Sequence, residues 1–219
     1  MFFWHRVKKT ETIPTSHGTD MRLVRVGRKW EIHGNKGDFQ SGAYMDGLWK
    51  RVLRTLPKRT PRQADGSLAP YRVLVLGVAM GGTFGLVLRR WPHARVTGVD
   101  WEPDFLSLGR RLGISTEDER VTFLAGDAAK VVPTLTGPFD LILVDLFEGT
   151  EDGVRVAQAA RDPALQDACV RLLSPAGVLA LNHYAEPDAA DGWDAHFPFF
   201  RRLRFGANLI TVYRRRLAE

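Results

Sequence analysis

The chain has almost no cysteine and no long apolar run, and both absences limit what it can be. Its 219 residues include one cysteine, Cys169, so no disulfide can form within the chain. This cysteine usage suits a reducing compartment, and we expect a cytoplasmic protein in which the Cys169 thiol is buried on a helix. No apolar run approaches the roughly 18 residues of a membrane-spanning helix, and the charged first residues do not resemble a secretory signal. The sequence therefore predicts no membrane partner.

The sequence motifs lack the pattern of a metal site and that of a phosphate-binding loop. The six histidines show no metal-ligand spacing, so no metal site is predicted. The apolar run at 71–76 is followed by the glycine turn Gly77-Val-Ala-Met-Gly-Gly82. This turn lacks the second glycine of G-x-G-x-x-G, which lies under a pyrophosphate, and it lacks the lysine of a phosphate-binding loop. A ligand with a ribose and no phosphate fits it better, and S-adenosylmethionine is the commonest such ligand.

Basic residues outnumber acidic ones, and the excess lies near the two ends of the chain. The net charge is +6, from 31 Lys and Arg against 25 Asp and Glu. Residues 1–62 hold 14 of the basic residues and five of the acidic ones. Such a field attracts polyanions. We favour a solvated basic surface over a nucleic-acid site, which stays open as an alternative.

The pattern divides the chain into a small N-terminal cap and a larger domain. Within residues 1–57, apolar alternation predicts a hairpin of strands 21–26 and 29–33, and a helix over 44–56 follows. Residues 58–70 hold prolines and a glycine, which is typical of a linker. We therefore expect a β-rich cap at 1–57 and a ligand-binding domain at 71–219, with the cap as the candidate surface for a homodimer.

From residue 71 onward, the predicted strands and helices alternate. Such alternation predicts a mostly parallel sheet covered by helices, a Rossmann-like α/β fold. The last two strands predict an antiparallel hairpin at the end of that sheet. The predicted strands are 71–76, 95–99, 120–124, 139–144, 177–182, 199–203 and 208–213, and the predicted helices are 82–90, 103–112, 128–134 and 160–173.

Five short motifs occur in the order and at the spacing of one protein family. They are Gly77-Val-Ala-Met-Gly-Gly82, Val99-Asp-Trp-Glu-Pro103, Gly126-Asp-Ala128, Phe139-Asp-Leu-Ile-Leu-Val-Asp145, and Leu173-Ser-Pro-Ala-Gly177 with Asn182 after it. With these motifs, the sequence resembles the spermidine synthase-like branch of the class I S-adenosylmethionine-dependent methyltransferases over about residues 30–213. The resemblance implies the class I methyltransferase fold.

The resemblance also implies a set of cofactor-binding residues. Asp100 would accept hydrogen bonds from both ribose hydroxyls, Trp101 would lie against the adenine, and Asp127 would accept from the adenine amino group. An alternative stays open for each of the two residues that follow the strands: Trp101 packs in the core instead, and Asp127 caps the following helix, either in place of contacting adenine or in addition to it. The implied cofactor is S-adenosylmethionine or its decarboxylated form. The full set is Gly77, Gly81, Gly82, Asp100, Trp101, Asp127, Ala128, Gln40 and Tyr44.

Two catalytic carboxylates are implied after the strand at 139–144. The family's D-x-x-D pattern is matched by Asp145-Leu-Phe-Glu148. Paired acids at this spacing could hold and deprotonate a cationic amine. The alternative is that Asp145 only ends a strand while Glu148 is solvated. We expect His183, which follows the next strand, to be structural.

One departure from the family pattern bears on the reaction. Met80 stands where aminopropyltransferases have an aspartate that faces the amino end of decarboxylated S-adenosylmethionine, and we expect Met80 to form an apolar wall there. The favoured interpretation is therefore a methyltransferase acting on an unidentified small molecule, with an amine as a candidate acceptor. A polyamine aminopropyltransferase is the second interpretation. A non-catalytic basic binding protein on a degenerate transferase fold is the third.

Overall fold

The computed structural model describes residues 7–13, 21–34, 39–58, 69–115, 117–150 and 153–215. These residues form a four-stranded sheet, a seven-stranded sheet and a two-stranded hairpin, with α-helices between them. Most of the predicted linker at 58–70 lies outside the described residues. No helix within the described ranges is both long enough and apolar enough to cross a membrane.

The N-terminal sheet is an antiparallel meander. Its strands β1 (Val7–Ile13), β2 (Met21–Val26), β3 (Lys29–His33) and β4 (Phe39–Gly42) pair in chain order. The hairpin of β2 and β3 is the predicted one, and its turn holds Gly27 at a φ of +64°. Helix α1 (Ala43–Thr55) follows directly and agrees with the predicted helix within one residue at each end.

The larger domain is built on the seven-stranded sheet. Its strand order is β12-β13-β11-β8-β5-β6-β7, with β13 antiparallel to both of its neighbours and the other pairs parallel. This order confirms the Rossmann-like sheet with a C-terminal antiparallel hairpin. The strands are β5 (Arg72–Leu76), β6 (Arg95–Asp100), β7 (Val121–Ala125), β8 (Phe139–Val144), β11 (Leu173–Asn182), β12 (Phe199–Phe205) and β13 (Asn208–Arg214), and the separate hairpin is β9 (Phe147–Thr150) with β10 (Gly153–Val156).

The helices predicted at 82–90 and 103–112 are confirmed within one residue. The helix predicted at 128–134 is α-helical only to residue 131, and the last helix of the domain has no predicted counterpart. The helices of this domain are α2 (Gly82–Arg90), α3 (Pro103–Arg111), α4 (Ala128–Val131), α5 (Gln158–Arg161), α6 (Pro163–Leu172) and α7 (Asp191–Asp194). The single helix expected over 160–173 is wrong, because the chain forms α5 and α6 instead. Asp162 precedes a proline, which disfavours helical backbone, and its side chain accepts a hydrogen bond from Ala164 N as the cap of α6.

The central strands of the seven-stranded sheet are buried on both faces by their alternate residues. In β5, Val73 and Val75 join one core cluster while Leu74 and Leu76 join the other, as the pleat requires. The first cluster includes the apolar sides of α1 and α2, and the second includes those of α5 and α6. Cys169 belongs to the second cluster, and its burial raises the pKa of the thiol, so the expected buried thiol is confirmed.

A third apolar cluster attaches the N-terminal sheet to the larger domain. Met21, Leu23 and Ile32 of that sheet pack against Phe105 and Leu108 of α3. Helix α1 packs on the seven-stranded sheet through Trp49, Val52 and Leu53 as part of the first core cluster. Residues from before the linker are thereby held against the strands that follow it.

Gly77, directly after β5, occupies a position that leaves no room for a side chain. Its φ is +83°, and an added Cβ would lie 2.1 Å from the carbonyl oxygen of Asp145. We expect Gly77→Ala to lower the free energy of unfolding by at least about 2 kcal/mol, because left-handed backbone costs a side-chain-bearing residue roughly 1–2 kcal/mol and the overlap adds to it. Urea unfolding measures the loss.

The matched control for this substitution is Gly113→Ala. Gly113 has a φ of +68°, and an added Cβ would meet nothing within 4 Å. The control should therefore show only the backbone part of the loss. Equal losses at the two positions would contradict the close approach of Gly77 to Asp145.

Candidate functional site

The carboxyl ends of the parallel strands surround a cavity of about 880 Å³. The chain proceeds from β5 toward one edge of the sheet and from β8 toward the other, and open α/β sheets bind ligands at such a point. Residues of α1 and of the β9–β10 hairpin complete the walls. Of the predicted site residues, the walls include Tyr44, Gly77, Gly82, Asp100, Trp101, Asp127, Ala128, Asp145 and Glu148.

One predicted binding residue is not among the lining residues, and the side chain of another is not described. Gly81 caps α2 with a φ of +79°, and an added Cβ would lie 2.7 Å from side-chain atoms of Leu106 and Ser115. Glycine at this position therefore allows the turn to pack closely against α3 and the residues that follow it. Gln40 belongs to β4, but its side chain lies outside the described part of the chain.

The carboxylate of Asp100 holds the glycine turn in place. Its Oδ2 accepts from the backbone N–H groups of Val78 at 2.7 Å and Ala79 at 2.8 Å, and its Oδ1 accepts from Glu102 N at 2.9 Å. Ala79 has a φ of +44°, which is uncommon for a residue with a side chain. Burial raises the pKa of Asp100, and the three N–H groups oppose part of that rise. The predicted ribose-binding acid is thus also a structural element of the turn.

The two residues expected near an adenine differ in what holds them. Trp101 is 51% exposed and lines the cavity, so the alternative of core packing is wrong. Asp127 Oδ1 accepts from Ala129 N at 2.9 Å as the cap of α4, so the capping role is confirmed. Both side chains stand at the same end of the cavity, after β6 and β7. Contact with an adenine stays a prediction for each.

Tyr44 connects the start of α1 with the turn between β12 and β13. Its hydroxyl donates to the carbonyl oxygen of Phe205 at 3.4 Å and accepts from Asn208 Nδ2 at 3.1 Å. The side chain is 44% exposed and forms part of the cavity wall. These contacts close the cavity at the end opposite to Trp101.

Asp145 follows β8 and is held by groups from two other elements. Its Oδ2 accepts from Trp49 Nε1 of α1 at 2.7 Å, and its Oδ1 accepts from Asn182 Nδ2 at the end of β11 at 2.8 Å. Burial raises the pKa of Asp145 to about 6, although the two donors oppose the rise and the charge of Asp100 adds to it. The cavity therefore contains a fixed carboxylate whose proton affinity lies near that of a general base.

Glu148 does not stand free beside Asp145. It lies on β9, and its Oε1 accepts from Arg155 Nε of β10 at 2.6 Å in a cross-strand ion pair. The Glu148 side chain is 23% exposed, so the carboxylate is both paired and partly solvated. Its charge is already balanced by a guanidinium, and its catalytic role stays a prediction.

The segment after β11 places one side chain in the cavity and buries another. Asn182 Oδ1 accepts from Tyr184 N at 3.2 Å, and Tyr184 lines the cavity with a φ of +48°. His183 is fully buried, with Nε2 at 2.9 Å from Thr211 Oγ1, and burial lowers its pKa. The expected structural role of His183 is confirmed.

The expectation that Met80 forms an apolar wall of the cavity is wrong. Its side chain is fully buried in the third cluster, between Ile32 of the N-terminal sheet and Phe105 of α3. The cap sheet offers an apolar partner on the far side of the turn, and burial there is more favourable for a methionine than a position facing carboxylates.

Three residues that line or brace the cavity were not predicted from the sequence. Trp49 donates to a carboxylate 96 positions away, Asp46 reaches the cavity from α1, and Arg155 balances Glu148. Trp49 was recognisable only as an apolar position of a helix. An acid on the first turn of that helix was a weak signal, because acids are common there.

The charged residues in the walls are nearly all acidic. Six carboxylates line the cavity against one guanidinium, that of Arg155; the acids are Asp46, Asp100, Glu102, Asp127, Asp145 and Glu148. Within the described ranges no three His, Cys, Asp or Glu side chains converge as metal ligands would. The acids are spread along the walls, and two of them, Glu102 and Asp127, also cap helices.

Comparisons with known proteins agree with this geometry. A methyltransferase domain model matches residues 73–177, which run from β5 into β11 and include Asp100, Asp127 and Asp145. A spermidine synthase structure in complex with the transition state analogue AdoDATO matches 95% of this chain and 73% of that chain with a TM-score of 0.70 at 15% identity. The chain has a class I methyltransferase fold of the spermidine synthase-like kind. Human Methyltransferase-like protein 13 in complex with SAH matches 68% of this chain and 73% of that chain with a TM-score of 0.60 at 18% identity.

Two curated relatives share parts of the methyltransferase-like region. Trans-aconitate 2-methyltransferase of Streptomyces avermitilis is 36% identical over 75 residues, which are 34% of this chain and 27% of that protein. Polyamine aminopropyltransferase of Chromobacterium violaceum is 29% identical over 118 residues, which are 53% of this chain and 43% of that protein. The chain thus matches less than half the length of either relative.

The hydrogen bond from Trp49 should set the proton affinity of Asp145. We expect Trp49→Phe to raise the pKa of Asp145 above about 6, because phenylalanine keeps the apolar packing and removes the N–H that favours the carboxylate. At pH 8 the loss should lower the free energy of unfolding by about 1.5–3 kcal/mol, the usual value for a hydrogen bond to a charged group. Carbon-13 NMR of the side-chain carboxyl carbon measures the pKa.

Trp91→Phe is the control for this prediction. Trp91 is also buried, but its indole nitrogen has no hydrogen-bond partner within the described part of the chain. Its replacement should leave the pKa of Asp145 unchanged. An unchanged pKa in Trp49→Phe would contradict the contact.

Proposed function

We propose that the protein is an S-adenosylmethionine-dependent methyltransferase that acts on a small-molecule acceptor, with an amine as the favoured class. The supporting observation is the charge of the cavity, with six carboxylates against one guanidinium. Such walls repel a polyphosphate or a dinucleotide, and they attract a sulfonium cation and a protonated amine. The methyltransferase domain match over residues 73–177 points to the same cofactor.

The residues of the cavity fit this cofactor. A volume of about 880 Å³ lies within the range of about 300–1,000 Å³ that small-molecule sites occupy. Asp100 would accept from a ribose hydroxyl at the Oδ1 position that its three backbone donors leave free. The exposed ring of Trp101 would cover the adenine, with Asp127 and Ala128 beside it. When bound, the cofactor supplies the methyl group from a sulfonium that is already a good leaving group.

Asp145 would take the proton that an amine acceptor loses. A carboxylate with a pKa of about 6 is ionised at neutral pH and is a stronger base than an ordinary aspartate. Trp49 and Asn182 hold it in one orientation, so the acceptor can be aligned with the methyl group before reaction. Tyr184, held through Asn182, would cover the acceptor and exclude water.

Asp145→Asn tests this role. With the best acceptor from a panel of primary amines, turnover should fall by about 10²-fold or more, because asparagine cannot accept the proton. Affinity for S-adenosylmethionine, measured by calorimetry, should change little. In the unaltered protein the rate should fall as the pH drops below about 6, because Asp145 becomes protonated. Full turnover with asparagine would place the base elsewhere, and Glu148 would be the next residue to test.

Aminopropyl transfer is the second candidate function, and one observation favours it. The acidic walls suit decarboxylated S-adenosylmethionine, which carries one positive charge more than the ordinary cofactor at neutral pH. The partial identity to a polyamine aminopropyltransferase supports the same candidate. Glu148 and Asp145 would then hold a diamine acceptor.

Comparison of the two cofactors separates the candidates. We expect ordinary S-adenosylmethionine to bind at least as tightly as the decarboxylated form, because the N-terminal N–H groups of α2 can donate to the cofactor's carboxylate. Calorimetric titration of both cofactors measures the ratio. A tenfold or greater preference for the decarboxylated form would establish the aminopropyl candidate in place of methyl transfer.

A further inference from the structure

Asp46 places a carboxylate in the cavity that no motif explains. It lies on the first turn of α1 and forms part of the cavity wall. Its Oδ1 lies against Gly82, so closely that an added Cβ on that glycine would be 2.2 Å from the oxygen. The acid therefore lies beside the start of α2, on a helix that precedes the methyltransferase domain match.

The Asp46 carboxylate has no hydrogen-bond donor among the described residues. Lys29 and Arg89 lie near enough to lower its pKa, but burial has the larger effect and raises it. A partly desolvated carboxylate without a donor is under-satisfied, and a cationic group that reaches it restores the lost hydrogen bonds. Asp145 differs in this respect, because both of its oxygens already accept.

The other walls determine which end of a nucleoside reaches Asp46. Trp101 and Asp127 follow β6 and β7, on one side of β5. Helix α1 reaches the other side, because its Trp49 donates a hydrogen bond to Asp145 at the end of β8. A nucleoside bound through Asp100 would extend its 5′ substituent over Gly77 and Gly82 toward α1. The first N–H groups of α2 lack acceptors within the helix and suit a carboxylate, while Asp46 beside them suits an ammonium. Together they complement the two charges of an amino acid.

We infer that Asp46 binds the ammonium group at the aminoacid end of the cofactor and so determines which thioether nucleosides the cavity accepts. This inference rests on the proposed function, because it requires an adenosyl ligand in the cavity. It assigns to α1 a specificity residue outside the span of the methyltransferase domain match.

Two nucleosides test the inference directly. S-adenosylhomocysteine and 5′-methylthioadenosine share the adenosine and the thioether sulfur, but only the first has an ammonium group. By calorimetry, Asp46→Asn should weaken the binding of S-adenosylhomocysteine by about tenfold or more, the effect of losing a hydrogen bond between charged groups. It should change the binding of 5′-methylthioadenosine less than about twofold, because asparagine keeps the shape that packs against Gly82.

Asp104→Asn is the matched control. It removes the same charge from an exposed position at the start of α3, outside the cavity walls, and should change neither affinity. An equal loss for both nucleosides in Asp46→Asn, or a loss for neither, would overturn the role of Asp46 and leave the proposed function standing. If the unaltered protein binds neither nucleoside, the proposed function fails and the inference fails with it.

Discussion

The hydrogen bonds that the Asp100 carboxylate accepts hold together the part of the molecule on which the site depends. Two come from the turn after β5 and one from the chain entering α3. A single side chain therefore fixes both of these segments beside the cavity. They also maintain the left-handed backbone of Ala79, which is otherwise unfavourable. With the turn fixed, Gly77 can approach the end of β8, and the two halves of the sheet meet around one cavity.

The sheet of the larger domain could be predicted because its central strands are buried on both faces, which makes β5 and β8 nearly continuous apolar runs. Elements with weaker sequence patterns were not predicted. The strands β9 and β10 have four residues each, and their pairing depends on contacts such as Val156 N with Glu186, 30 positions away. The division of the helix at 160–173 was indicated by Pro163, whose effect on the preceding residue outweighed the apolar periodicity.

The site was predictable where its residues follow strand ends, because parallel strands bring their carboxyl ends to one edge. Asp100, Asp127 and Asp145 all lie there. Contributions from α1 could not be predicted, because the packing of a helix against a sheet is not encoded in local spacing. The side chain of Met80 was misplaced for the same reason: its direction depends on the N-terminal sheet that packs behind the turn.

The contact between Trp49 and Asp145 joins a residue outside the methyltransferase domain match to the central carboxylate within it. A change in α1 alone therefore alters the acidity of Asp145 while every motif residue stays the same. Relatives that agree at all five motifs can differ in the pH range over which they work. A comparison that covers only the motifs and omits α1 therefore underestimates how far such proteins differ in function.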